Sequence, residues 1–438
     1  MSAATMKAVA PSSYLRTVVA GTLGNGLEAY DFAVYGIFAI YIARNFFPME
    51  SAFVGLLLTV ATFGVGFLAR PIGGAILGAY ADRAGRKAAL TLTILVMGLG
   101  TGMIGFLPGY DRIGIAAPLL LVVARLLQGF SAGGEIGSSI ALMMEASPDG
   151  KRGATVAWQV TSQPLALILS GVIGFYLTQT LPAEALQSWG WRVPFLVGMS
   201  IVPVGMYIRQ NLSETLAEEQ RYHSNRQLYR ELFTNYGFPL AMCVLIIGGI
   251  AVNQYFFSYM TTYAITTLKL PAQVGMLAPI VSGVTGAIFA MTGGYIADRF
   301  GRTMINVLPR IALMLLAWPA FSYAAANASA VAFLLSVVCL VALNLLCYST
   351  AALVAVECFP REVRATGYSI GYAIGVTLFG GTGQVVFTWL IHVTGSPASP
   401  IFYVILGTAM TMFAVLGALH HQRMNTGAVR ANAVLTRS

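Results

Sequence analysis

Charge is what this sequence has least of. Asp, Glu, Lys and Arg make up 9% of its 438 residues, where an average soluble domain carries roughly 25%. With 57% hydrophobic residues and a mean hydropathy of +0.75, a water-covered globular domain is excluded and a chain folded in a bilayer is implied. Cysteine is scarce too: Cys243, Cys339, Cys347 and Cys358 form no CxxC pair and have no metal-ligand spacing. That excludes a disulfide framework and a zinc site. The four histidines, His223, His392, His420 and His421, fall in a polar stretch or at the ends of apolar runs, so none stands at mid-depth to relay protons. A phosphate loop is missing as well, because GAYADRAGRK at 78–87 lacks the G-K-[ST] ending. No nucleophile triad points to an enzyme, and no metal or cofactor is expected.

What is present is a succession of long apolar runs. A bilayer core of about 30 Å takes about 20 helical residues at about 1.5 Å each. Runs of that size lie near 17–43, 53–79, 88–108, 116–145, 154–180 and 191–209, and again near 237–266, 274–297, 304–325, 330–357, 365–393 and 401–420. They predict an all-α integral membrane protein with twelve transmembrane helices. Residues 17–209 and 237–420 are expected to form two six-helix bundles, joined by a polar linker at 210–236 and flanked by tails at 1–16 and 421–438.

Lys and Arg set the orientation. With the N-terminus inside, 18 of the 25 basic residues fall on the tails and even-numbered connections. Arg44, Arg112, Arg192 and Lys269 lie on the opposite side, and Arg70, Arg125 and Arg310 inside helices. Both termini are therefore expected on the cytoplasmic side of a bacterial inner membrane. The formal net charge of +9 follows from this asymmetry, and no nucleic-acid partner is expected.

Two motifs recur in the same order. G-x-x-x-D-R-x-G-R occurs at 78–86 and 294–302, and E-x-x-P-x-x-x-R at 145–152 and 357–364, at offsets of 216 and 212 residues. Each copy follows an even-numbered helix, so the halves read as parallel repeats about an axis along the membrane normal, with a ligand site between them near the midplane. Asp82, Arg83, Arg86, Glu145 and Arg152 in the first half form one set of charges at the cytoplasmic face. Asp298, Arg299, Arg302, Glu357, Arg361 and Arg364 form its counterpart. Exposed pairs are worth about 0–1 kcal/mol, so such clusters can form and break cheaply and are expected to gate that face. The glycine steps Gly74/Gly78, Gly129/Gly133/Gly137 and Gly371/Gly375 are expected to let helices approach closely.

Together with RLLQGFSAGGEIG at 125–137, the two loop motifs resemble the major facilitator superfamily of secondary transporters, over essentially the whole chain. GNGLEAYDFAVYG (24–36), FGVGFLARPIGG (63–74), WGWRVPF (189–195) and IRQNLSET (208–215) resemble its metabolite:proton symporter family, and WQVTSQ (158–163) is similar to the citrate and tricarballylate branch. The resemblance implies a monomeric alternating-access importer of a small organic anion, citrate or a related tri- or dicarboxylate, driven by protons. Other metabolites of the same family, 2-oxoglutarate, shikimate, proline or betaine, are the alternative, and a drug/proton antiporter is the more distant one.

The intramembrane ions support a coupling role. An ionisable group at a helix centre costs at least about 2.5–3.5 kcal/mol, so it is expected to face a cavity or a partner. Glu28 and Asp31 are three residues apart and are expected to share a face of the first helix, extended one turn by Asn25. Helical rise puts Glu28 about 18 Å beyond Arg16 and Arg70 about 18 Å from Asp82, so Arg70 can pair with either carboxylate and leave the other to titrate. Glu135, on the fourth helix near the depth of Glu28, is a third proton-coupling candidate. Arg125, about 15 Å further out than Glu135, is too distant to pair with it and is expected either to hold an anionic substrate or to brace the first helix. Arg310 is expected to be structural, its stem reaching outward. Gln159 and Gln163 on the fifth helix, Asn253, Gln254 and Tyr255 on the seventh, Asn344 and Tyr348 on the tenth and Gln384 on the eleventh are expected to line the cavity, although each alone is equally suited to joining helices.

Overall fold

The computed structural model describes residues 11–84, 86–146, 152–210, 230, 232–360 and 363–435, which are helical apart from short connections. Every one of the twelve expected stretches carries helix. The first half contains α1 (Pro11–Ile37), α2 (Ala39–Phe46), α3 (Ala52–Leu68), α4 (Arg70–Ala84), α5 (Arg86–Phe106), α6 (Tyr110–Ile113), α7 (Ala116–Ala146), α8 (Arg152–Thr180), α9 (Ala183–Ser188) and α10 (Val193–Gln210). The second contains α11 (Gly237–Thr262), α12 (Ala272–Phe300), α13 (Arg302–Asn327), α14 (Ala330–Glu357), α15 (Arg364–Gly375), α16 (Gly381–Thr394) and α17 (Pro400–Leu435). Among the described residues ten helices are long and apolar enough to cross a membrane, and the α1/α2 pair makes an eleventh. The remaining expected run holds α10, whose 18 residues rise about 27 Å.

Four runs are interrupted where continuous helix was expected. α1 and α2 meet at 64° around Phe38, two residues after Gly36. The second run slips between α3 and α4, because Pro71 lacks an N–H and crowds the turn before it; there the Ala69 amide bonds to Gly66 at 3.3 Å. The seventh and eleventh runs each contain a π-helical turn, Tyr263–Thr267 and Val376–Gly380. Such turns concentrate at functional sites, and the second lies between Gly375 and Gly381 at the contact between halves.

The polarity of the fold is inverted relative to a water-soluble protein. Leu119, Leu315, Leu335, Phe402 and Phe413 are more than half exposed, whereas Glu28, Asp31, Arg70, Arg125 and Arg310 are buried. Lipid receives the apolar exterior and the helices enclose the charges, as intramembrane ions require. Glycine makes the close contacts. A Cβ on Gly129 would strike the Gly66 carbonyl, one on Gly133 the Arg70 carbonyl, and one on Gly371 the Cys243 sulfur. These contacts press α7 onto α3 and α4, and α15 onto α11, without intervening side chains. The halves meet where α8 packs along α12, α3 along α16 and α1 along α11.

Candidate transport site

Between the halves lies a cavity of about 520 Å³, lined from the first half by Asn25, Glu28, Phe32, Arg70 and Gln163 and from the second by Gln254, Tyr255, Ser258 and Tyr372. A second space of about 420 Å³ adjoins it, sharing Gln163, Leu167 and Gln254 and adding Ser282, Asn344 and Tyr348.

A charged pair on the cavity wall is held by α1 and α4. Arg70 Nη2 donates to Glu28 Oε1 at 2.9 Å, with side chains 2% and 7% exposed. Its guanidinium lies 4.6 Å from the Phe32 ring centroid and 4.5 Å from that of Phe67, and Tyr372 of the other half is within hydrogen-bonding reach. Two desolvated charges cost several kcal/mol each unless geometry and further partners compensate. Here the carboxylate, two aromatic faces and a hydroxyl offset part of that cost, while Arg70 Nε has no hydrogen-bond partner among the described residues. Asn25 donates to Ser162 at 2.7 Å, joining α1 to α8.

Glu28 and Asp31, expected to share a face of the first helix, both border a second, small cavity, but Asp31 does not line the central one. Three residues rotate a helix by about 300°, leaving side chains about 60° apart, enough to send them to different neighbours. Asp31 Oδ2 accepts from Thr101 of α5 at 2.6 Å. Arg125, fully buried on α7, does not line the central cavity. It donates to Gln128 at 2.6 Å, and its guanidinium sits 4.7, 4.4 and 5.1 Å from the ring centroids of Phe32, Tyr35 and Phe63. Arg70, rather than Arg125, is the cation facing the cavity.

Across the cavity, Gln254 of α11 donates to Gln163 of α8 at 2.8 Å, and the Tyr348 hydroxyl of α14 lies 3.5 Å from both. Asn344 Nδ2 and Ser282 Oγ have no hydrogen-bond partner among the described residues and flank this cluster. Asn253, by contrast, bonds to Gly249 and Thr408 and joins α11 to α17. Gln384 is buried beside Gly36, where α1, α11 and α16 meet. Arg310 does not reach outward: it is buried and turns back to Asn306 at 2.6 Å, because an amide one turn away is a nearer acceptor than the interface.

At the end of the bundle where α1 begins, Arg302 pairs with Glu357, both partly exposed, and Arg364 donates to the Phe359 carbonyl at 3.1 Å. Arg299 is exposed there. Arg361 lies outside the described residues, as do the side chains of Glu135, Gln159, Asp82, Arg83, Arg86, Glu145, Arg152 and Asp298. At the opposite end, Phe53 of α3 stacks on His392 of α16 at 3.8 Å between centroids, while beside the central cavity the Thr377 hydroxyl donates to the Phe67 carbonyl at 2.9 Å. Thr101, Gln128, Ser258 and Tyr372 were not singled out from the sequence. A hydroxyl or amide in an apolar run carries no signal until its neighbours are known.

The model of the major facilitator superfamily matches residues 21–383. The chain belongs to this superfamily. It is 36% identical over 417 residues to the citrate-proton symporter of Klebsiella pneumoniae, covering 94% of this chain and 92% of that one. It is 32% identical over 408 residues to the proline/betaine transporter of Escherichia coli K12, covering 89% and 80%. The xylose transporter of E. coli, solved in a partially occluded inward-open conformation, superposes with a TM-score of 0.72 at 18% identity, covering 92% of this chain and 97% of that one. The fold is therefore the major facilitator fold, and the protein is a membrane transporter of that superfamily, not an enzyme.

Proposed function

We propose that the chain is a twelve-span inner-membrane importer of an organic anion, citrate or a related tri- or dicarboxylate, by proton symport. Its two six-helix bundles, 17–209 and 237–420, rock about the cavity as a monomer with both termini cytoplasmic. The observation that carries this reading is the buried Arg70–Glu28 pair on the cavity wall. A substrate carboxylate and the Glu28 carboxylate compete for the same guanidinium. A proton on Glu28 removes the competitor, so proton and anion favour each other's binding, which is the thermodynamic content of symport. Asp31 is a second proton carrier, and the Gln163, Gln254 and Tyr348 cluster with Asn344 serves the substrate's remaining carboxyl or hydroxyl groups.

The relatives named for citrate and for proline or betaine leave two substrate classes to weigh. A quaternary ammonium would be drawn to aromatic faces. In this cavity the faces of Phe32 and Phe67 already hold Arg70, and a second cation beside it is repelled. The site therefore favours an anion. Exposed gating pairs such as Arg302–Glu357 open and close one end, while the Phe53–His392 contact closes the other.

The test is uptake of labelled citrate by proteoliposomes under an inward proton gradient, chased with tricarballylate, 2-oxoglutarate, shikimate and betaine. Uptake abolished by a protonophore and chased by tricarballylate supports the assignment. Entry of betaine but not citrate overturns it.

A further inference from the structure

Asp31 ends a chain of hydrogen bonds whose direction is fixed by its far end. Arg125 can only donate, so Gln128 turns its oxygen to the guanidinium, at 2.6 Å. The amide nitrogen of Gln128 is then presented to Thr101 Oγ1, at 2.9 Å. The Thr101 hydroxyl has accepted one bond and keeps its proton to give, and two acceptors lie within reach: Asp31 Oδ2 at 2.6 Å and the Met97 carbonyl at 3.0 Å.

We infer that Thr101 is a positioning residue that lets Asp31 gain and lose a proton without moving. When Asp31 is ionised, the Thr101 hydroxyl donates to it. When Asp31 is protonated, its O–H donates to the second lone pair of Thr101 Oγ1, and the Thr101 proton turns to the Met97 carbonyl. The Thr101 hydroxyl keeps its donor and its acceptor bonds in both states.

Asp31 does not line the central cavity. It lines a second, small one with Gly24, Leu27, Glu28, Ile94, Met97, Gly198 and Val202, between α1, α5 and α10, and Glu28 borders both cavities. Gly24 and Leu27 precede Asp31, so this space runs from the carboxyl toward the end of the bundle where α1 begins. Gly198 leaves room for the carboxyl, since a Cβ there would stand 3.0 Å from Asp31 Oδ1. The charged and titratable groups around Asp31 are Glu28 and Tyr30 on its own helix and Arg125 on α7. The Tyr30 hydroxyl is engaged by the Pro194 carbonyl at 2.8 Å. Among the described residues α5 and α10 add no charge to this cavity, only Thr101 beside it.

The inference rests on Asp31 carrying a proton, and its test needs no substrate. The carboxyl band of the purified protein is titrated by infrared difference spectroscopy between acid and alkaline pH, in wild type, Asp31→Asn, Thr101→Val and Thr101→Ser. A component that vanishes in Asp31→Asn belongs to Asp31. A hydrogen bond to an ionised acceptor is about twice as strong as one between neutral groups, so losing the hydroxyl penalises the ionised form more. The component should titrate about one pH unit higher in Thr101→Val, a tenfold change in proton affinity, and at the wild-type pH in Thr101→Ser. An Asp31 component that does not move in Thr101→Val overturns the role of Thr101 and leaves the proton site standing. The absence of any component dependent on Asp31 overturns both.

Discussion

Breaking the Arg70–Glu28 pair from either side, and then from both, tests whether the cavity is built around it. Glu28→Gln leaves a guanidinium with an uncompensated charge where the side chain is 2% exposed, and Arg70→Met leaves a carboxylate at 7%. Removing one partner of a buried pair costs about 3–5 kcal/mol, whereas replacing both by neutral groups of similar volume is close to neutral or stabilising. Met retains a stem against Phe32 and Phe67 but forfeits two ring contacts of about 0.5–2 kcal/mol each. The double variant should therefore be more stable than either single one, with an interaction of about 3 kcal/mol. Cys243 and Cys347 are buried and free, so a thiol-reactive dye reports thermal unfolding. The expected order of midpoints is both single variants lowest and the double variant above them. A double variant whose loss equals the sum of the single losses refutes the pairing argument. In transport, Glu28→Gln imitates the protonated pair and should exchange labelled citrate at a rate nearly independent of pH while failing to accumulate it. Arg70→Met should do neither.

Asp31→Asn should abolish gradient-driven accumulation while sparing exchange across proteoliposomes, and unchanged accumulation would remove Asp31 from the coupling. Gly129→Ala drives a methyl group into the Gly66 carbonyl, so the yield of monodisperse protein should fall several-fold; a normal yield would mean that α3 and α7 can separate freely. Cysteines introduced together at Phe53 and His392, whose rings are stacked across the halves, should be joined by a short bifunctional thiol reagent with loss of uptake. Uptake that survives complete cross-linking would contradict a moving contact there.

Much of this was legible in the sequence because the bilayer writes coarse rules. Length and hydropathy located the helices, and the cost of intramembrane charge singled out Glu28, Asp31 and Arg70 before any contact was known. Helical rise alone brought Arg70 to the depth of Glu28. It could not tell which carboxylate Arg70 would take, because Glu28 and Asp31 differ by about 60° around the helix and the choice depends on where α4 and α5 stand. Arg125 illustrates the same limit. Its place behind Phe32, Tyr35 and Phe63 follows from side-chain packing among three helices, which no spacing encodes. The bend at Phe38 and the two π turns escaped as well, since no proline stands within them to mark the break.

Charge bookkeeping around Arg70 explains how such a site resists leakage. Empty, it holds one guanidinium and one carboxylate. Loaded with a substrate carboxylate and a proton on Glu28, it holds the same charges at the guanidinium, since one anion has replaced another there, and each further ionised carboxyl of the substrate must bring a proton of its own. The two half-loaded states differ: a proton without the anion leaves Arg70 unpaired, and the anion without a proton leaves two carboxylates facing one guanidinium. Either places a net charge among Phe32, Phe67 and Tyr255, at a cost of several kcal/mol. Closure of the bundles around the cavity excludes the water that would screen that charge, so the half-loaded carrier is the state least able to close. Coupling then needs no communication over distance. It follows from one cation serving two anions in a space that tolerates no excess charge.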